Sequence, residues 1–204
     1  MINDEKHYDE LDILKGLGIM LIVLGHLEPG TYLMRFVYSF HLFLFFICSG
    51  YLGQRYEDRE FVTIVFNNIK RLVIPYLLWS VLSQIVDIVL GCIGLLQAVK
   101  NTLFLDANVG WNAALWFLVS LFWTDLICAL VVKCKRWLQI GFIVLFIGVW
   151  IVFSYNKIVL PFGLYTVPIA STFWLTGYLS KKYSILEKVK KMNVSSKIAW
   201  GGYC

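Results

Sequence analysis

An all-α, multi-pass transmembrane helical bundle is the fold class this sequence predicts, with about six spans and a cytoplasmic N-terminus. Three observations predict it. The 204 residues are 59% hydrophobic, with a mean hydropathy of +0.73. Only 15% are charged, against about 25% in a soluble domain, which is too few to cover a surface facing water. The apolar residues fall in long runs with little strict alternation, which suits helices and not a barrel with a polar lumen.

A helix needs about 20 apolar residues to cross a bilayer. The first run, 11–28, follows a mixed, acidic start and precedes no small-residue cleavage site, so it is expected to stay in the protein. "EPGT" (28–31) closes a tight hairpin into the second run, 33–53. "GQRYEDRE" (53–60) opens a polar loop, and the third run covers 72–96. The fourth, 113–132, is joined by "KCKR" (133–136) to the fifth, 137–153. "SYNK" (154–157) leads to the sixth, 159–179. Residues 1–180 thus read as one membrane domain. The basic stretch 181–204 reads either as a cytoplasmic tail or as the start of a further span, since "SSKIAWGGYC" begins like a membrane segment and stops. On the second reading the chain is the N-terminal part of a longer domain.

Basic residues set the orientation. With the N-terminus inside, the inner segments hold fourteen of them: Lys6, Arg55, Arg59, Lys70, Arg71, Lys133, Lys135, Arg136, Lys181, Lys182, Lys188, Lys190, Lys191 and Lys197. The outer segments hold Arg35, Lys100 and Lys157. That bias favours this topology, because positive charge accumulates on cytoplasmic loops. Cys48, Cys92, Cys128, Cys134 and Cys204 form no CxxC pair and sit in or beside apolar runs, as small fillers do. No metal-ligand spacing and no nucleic-acid partner are expected.

Charge inside the first run is the unusual feature. At 100° per residue, Asp12, Lys15 and His26 share one stripe of the helix, together with Gly16, Ile19 and Ile22 or Val23. His26 lies about 16 Å above Lys15. Ionisable groups in a membrane helix turn toward other helices or a wet cavity and are functional candidates. Plainer readings remain for each: Lys15 snorkelling to headgroups with Asp12 as its i,i+3 partner, and His26 as an interfacial histidine. The hairpin brings His41 of the second run near His26, where two imidazoles suit proton handling; a packed core histidine is the alternative. Ser49 and Gly50 suit helix packing. Arg71 stands at the inner edge of the third run, and Trp111, Asn112 and Trp116 at the outer end of the fourth. The aromatics suit either sugar stacking or an interfacial belt.

In order along the chain, "LDILKGLGIMLIVLGH" (11–26), "FHLFLFFICSGYL" (40–52), "IKRLVIPYLLW" (69–79), "LWFLVSLF" (115–122) and "FWLTGYLSKK" (173–182) occur. Together they resemble the acyltransferase 3 family of integral-membrane O-acyltransferases, nearest its fucose 4-O-acetylase-like branch. The resemblance covers nearly the whole chain. It implies transfer of an acyl group, commonly acetyl, from cytoplasmic acyl-CoA as co-substrate to a hydroxyl of a cell-envelope glycan or similar acceptor. It implies no permanently bound cofactor, and a multi-pass protein of the bacterial plasma membrane. The family's basic residue and histidine with ten positions between them match Lys15 and His26. Many members have arginine at position 15, whose bidentate fork lysine lacks, and proline where Phe43 stands. Wheel and resemblance together point to His26 as catalytic base, with Lys15 and Asp12 as further catalytic candidates lower on the same stripe, and His41, Arg71 and Trp116 as expected substrate-binding residues. The competing readings are a proton-coupled transporter or channel subunit using the same ionisable groups, and an inactive, truncated relative.

Overall fold

A computed structural model of the chain describes residues 9–27, 43–103, 115–158, 160 and 162–185. Helix is the only regular structure among them. Helix α1 spans Asp9–Leu27, and α2 covers 43–52 and runs into a 3-10 turn at Gly53–Tyr56. Next comes one long rod, Phe61–Val89. Its parts are α3 (Phe61–Asn68), a π-helical turn (Ile69–Val73) and α4 (Ile74–Val89). Then follow α5 (Leu95–Leu103), α6 (Trp116–Val131), α7 (Arg136–Tyr155) and α8 (Val167–Lys182).

The third apolar run differs most from expectation. The rod starts eleven residues before 72 and stops seven before 96. Its early start escapes a hydropathy reading because Asn67, Asn68, Lys70 and Arg71 dilute an otherwise helical segment. Its end is a Schellman closure: Gly91, at φ 70°, donates to the Ile88 carbonyl, and the Cys92 N–H reaches back to the Asp87 carbonyl. Residues 95–103 then form the separate short helix α5, also unforeseen. Inside the rod, Pro75 has no N–H, and its ring presses on the carbonyl four residues back, that of Arg71. The helix widens there, and the Ile74 N–H bonds to the Ile69 carbonyl five residues earlier. A four-residue step overshoots a helical turn by about 40°, and the wider turn takes up part of that drift. Ile64, Asn68, Leu72, Tyr76 and Ser80 can therefore all be buried along one rod.

The interior of the bundle mixes apolar and polar side chains, and the outside is apolar. Ser80, Ser83, Gln84, Ser120, Thr124, Asp125, Gln139 and Ser171 are buried, while Ile140, Val144, Leu145, Ile151 and Val152 of α7 are exposed. Gln139 is the one buried residue of α7. Such an inverted surface fits hydrocarbon and not water. Among the described residues, Phe61–Val89 and Arg136–Tyr155 have both the length and the hydropathy for a crossing; α6 is apolar but has 16 residues. Helix α8 is central, with nine of its 16 residues buried, and packs on both α6 and α7.

Small residues permit that centre. A Cβ on Gly50 would overlap the Trp174 carbonyl, and one on Gly177 would overlap the Ile47 carbonyl, so α2 and α8 touch backbone to backbone. Phe43 stacks on Phe173 of α8 with centroids 4.2 Å apart. Polar contacts close one end of the bundle. Tyr178 donates to Glu57 at 2.8 Å, and the Lys182 ammonium donates to Glu57 at 3.1 Å and to the Tyr178 hydroxyl at 2.7 Å. Lys133 donates to the Arg59 carbonyl at 2.8 Å, and the Arg136 guanidinium lies 4.4 Å from the Tyr183 ring centre.

Two outcomes follow from this packing. Gly177→Ala is expected to destabilise the purified protein by roughly 1–3 kcal/mol, as overpacking does. Gly148→Ala, where a Cβ meets nothing within 4 Å, should leave the melting temperature in detergent unchanged. The bonds from Tyr178 and Glu57 raise the Lys182 pKa above its ordinary 10.5, against a smaller lowering by burial. Its stabilisation is present below that value and is lost as pH rises through the raised one. The Tm difference between wild type and Lys182→Gln should stay constant from pH 7 to about pH 10 and close above it.

Candidate functional site

The expected stripe on α1 is only partly inward. The Asp12 carboxylate and Lys15 ammonium pair at 3.3 Å, with side chains 50% and 36% exposed. Gly18 is buried against the Phe45 ring of α2, while Ile19 and Val23 are 55% and 54% exposed. The packed face therefore runs through Leu11, Leu14, Gly18 and Leu21, and Lys15 lies on its border. Ile19 and Val23, expected on the inward stripe, instead face outward. The reason is that the glycine, not the charge, sets which side of α1 can approach α2. The backbone of His26 belongs to α1, and its side chain lies outside the described residues, as do His41, Trp111 and Asn112 entirely. Trp116 begins α6, half-buried, edge-on to Phe117 at 6.4 Å.

Arg71 has a more specific setting than the inner edge of a span. It stands on the π turn, ten residues or about 15 Å into the rod. Its Nη2 donates to Asp125 Oδ2 at 2.8 Å and to Asn68 Oδ1 at 3.2 Å. Asp125 is fully buried on α6 and receives three more bonds: from Trp174 Nε1 at 2.7 Å and Ser49 Oγ at 2.9 Å on Oδ1, and from the Tyr56 hydroxyl at 3.3 Å on Oδ2. A carboxylate offers about four acceptor sites. Two donors on each oxygen use them all, so Asp125 organises its neighbours.

The exposed side of Arg71 opens on a cavity of about 270 Å3 lined by Arg55, Tyr56, Arg59, Ile64, Asn67, Asn68 and Arg71. Three arginines and two asparagines line one space. Asn68 is 2% exposed, and its Nδ2 has no hydrogen-bond partner among the described residues. Burial first, and then the Asp125 carboxylate, push the Tyr56 phenol up, so its hydroxyl stays protonated and donates. Cations and N–H donors without a lining carboxylate suit an anion such as a phosphate group. No group of three or more His, Cys, Asp or Glu able to hold a metal occurs among the described residues.

Sequence reasoning singled out Arg71 and passed over Asp125, Trp174, Tyr56 and Asn68, the residues now seen around it. One signal was present: Asp125 is a lone acid in the apolar run 113–132, and the rule that singled out Lys15 applies to it equally. Its partners come from segments 49 to 76 residues away, and no spacing along the chain announces them.

No curated protein and no solved structure matches the chain. A family model described as an acyltransferase domain matches residues 8–203, nearly the full length and all the elements above. With an all-helical fold, an apolar exterior and helices long enough to cross a bilayer, the chain belongs to the acyltransferase 3 family of membrane proteins.

Proposed function

We propose that the protein is a multi-pass membrane O-acyltransferase that moves an acyl group, acetyl in the first instance, from cytoplasmic acyl-CoA to a hydroxyl of an extracytoplasmic acceptor. Envelope glycans supply such hydroxyls. The observation that carries this reading is the cavity of Arg55, Arg59, Arg71, Asn67 and Asn68, whose chemistry fits the phosphates of coenzyme A. The end of the bundle that holds it also gathers Lys133, Arg136 and Lys182. That grouping supports a cytoplasmic placement of this end and of the N-terminus.

In the reaction, neutral His26 accepts the acceptor's hydroxyl proton as its oxygen attacks the thioester carbonyl. The C–S bond then breaks, and the thiolate leaves and takes up a proton as free coenzyme A, so an ester replaces a thioester. Base assistance of this kind typically contributes about 10² to 10⁴ in rate. Lys15, with Asp12 balancing its charge, lies about 16 Å from the level of His26 along α1 and supplies a cation between donor entry and reaction centre.

Membranes carrying the protein, given radiolabelled acetyl-CoA, should form base-labile acetyl esters on a glycan fraction. His26→Ala should reduce labelling at least about 100-fold with unchanged membrane abundance. Arg71→Ala should raise the KM for acetyl-CoA about tenfold or more, the loss of a charge-assisted contact. Normal labelling by the His26 variant would remove that residue from the chemistry, and normal donor KM in the Arg71 variant would move the donor elsewhere.

A further inference from the structure

Arg71 needs a fixed orientation to meet a ligand, and a flexible arginine at a cavity mouth would lose entropy on binding. Both of its bonds to described residues leave from one nitrogen, Nη2, toward Asp125 and Asn68. The rest of the guanidinium is thereby turned to the cavity, with the side chain 45% exposed. Asp125 is in turn immobilised by Trp174 of α8, Ser49 of α2 and Tyr56 of the 3-10 turn. None of its four donors is duplicated, and Ser49 and Trp174 do not line the cavity.

We propose that Asp125 is the positioning residue of the donor site: it aims the Arg71 guanidinium at the phosphoryl end of the bound donor and ties that aim to α2 and α8. This rests on the reading of the cavity as the acyl-CoA site. Asp125 touches no reacting atom, and its effect reaches the donor only through Arg71. Substitution at Asp125 should therefore weaken donor binding and leave the chemical step nearly intact.

The test is a double-mutant cycle on the full chain in membranes, with acetyl-CoA as the probe and both KM and kcat measured. Asp125→Asn keeps size and presents an amide donor to the donors of Arg71 and Tyr56. It should raise the acetyl-CoA KM about tenfold, with kcat within about threefold. In an Arg71→Ala background the same substitution should add less than about twofold, because the contact it serves is gone. Ser49→Ala removes a donor remote from the cavity and keeps the proposal open to refutation if Asp125→Asn does not fold. It should raise the donor KM about two- to threefold with Arg71 present and leave it unchanged with Arg71→Ala. A wild-type donor KM in folded Asp125→Asn, or equal KM effects of either substitution with and without Arg71, overturns the positioning role. A wild-type donor KM in Arg71→Ala overturns the donor-site reading itself, and the inference with it, whereas a raised KM there with a normal Asp125→Asn overturns the inference alone.

Discussion

A single carboxylate withdrawn from all solvent constrains how five pieces of the chain meet. Removing an ionised Asp125 from water is costly unless its acceptor sites are filled. They are filled by Ser49, Tyr56, Arg71 and Trp174, each from a different element. Any displacement of α2, the 3-10 turn, the rod or α8 against α6 would leave a lone pair unmet in a low-dielectric interior, where a missing partner costs more than a made bond contributes. Apolar packing on the outer faces has no comparable directionality, since lipid tails replace side chains there at little cost. The relative placement of the helices therefore depends on this polar centre and on the backbone contact beside it.

That backbone contact is what makes the polar centre reachable. Trp174 is buried with its indole N–H on Asp125, and its ring stacks between Tyr56 and Tyr178 at 6.0 and 6.1 Å. The indole fits because Gly53 and Gly50 leave room for it and for its carbonyl. Gly177, one turn on, lets the Ile47 backbone approach in return. The same three aromatics continue toward the polar end, where Tyr178 hands over to Glu57 and Lys182. Buried charge and end clamp thus share one column of rings.

Arg71 reaches this centre through a local device of the sequence. Pro75 excludes an ordinary turn before it, and the resulting π turn carries Arg71 and Lys70 on a widened stretch of backbone. The arginine is left with one nitrogen inward and its remainder at the cavity. A uniform helix would rotate Asn68 and Arg71 away from each other's present positions relative to Ile64 and Tyr76. Strain-relieving geometry and candidate ligand contacts coincide at one turn, as π bulges often do.

The helical class, the apolar exterior and the positions of α6 and α7 were legible in the residues themselves, because hydropathy and helical length are properties of contiguous chain. So was Arg71 as a cation worth following, and the family, through ordered motifs such as "LDILKGLGIMLIVLGH" and "IKRLVIPYLLW". The rod's true start at Phe61 was hidden because hydropathy averages over faces, whereas burial acts on one face at a time. The inward side of α1 was misjudged for the same kind of reason: charge marked Lys15, but closeness of approach is decided by Gly18 against Phe45. The Asp125 cluster belongs to tertiary structure alone. Its members are scattered from Ser49 to Trp174, and a carboxylate reveals its function only when the donors that fill its lone pairs are brought around it.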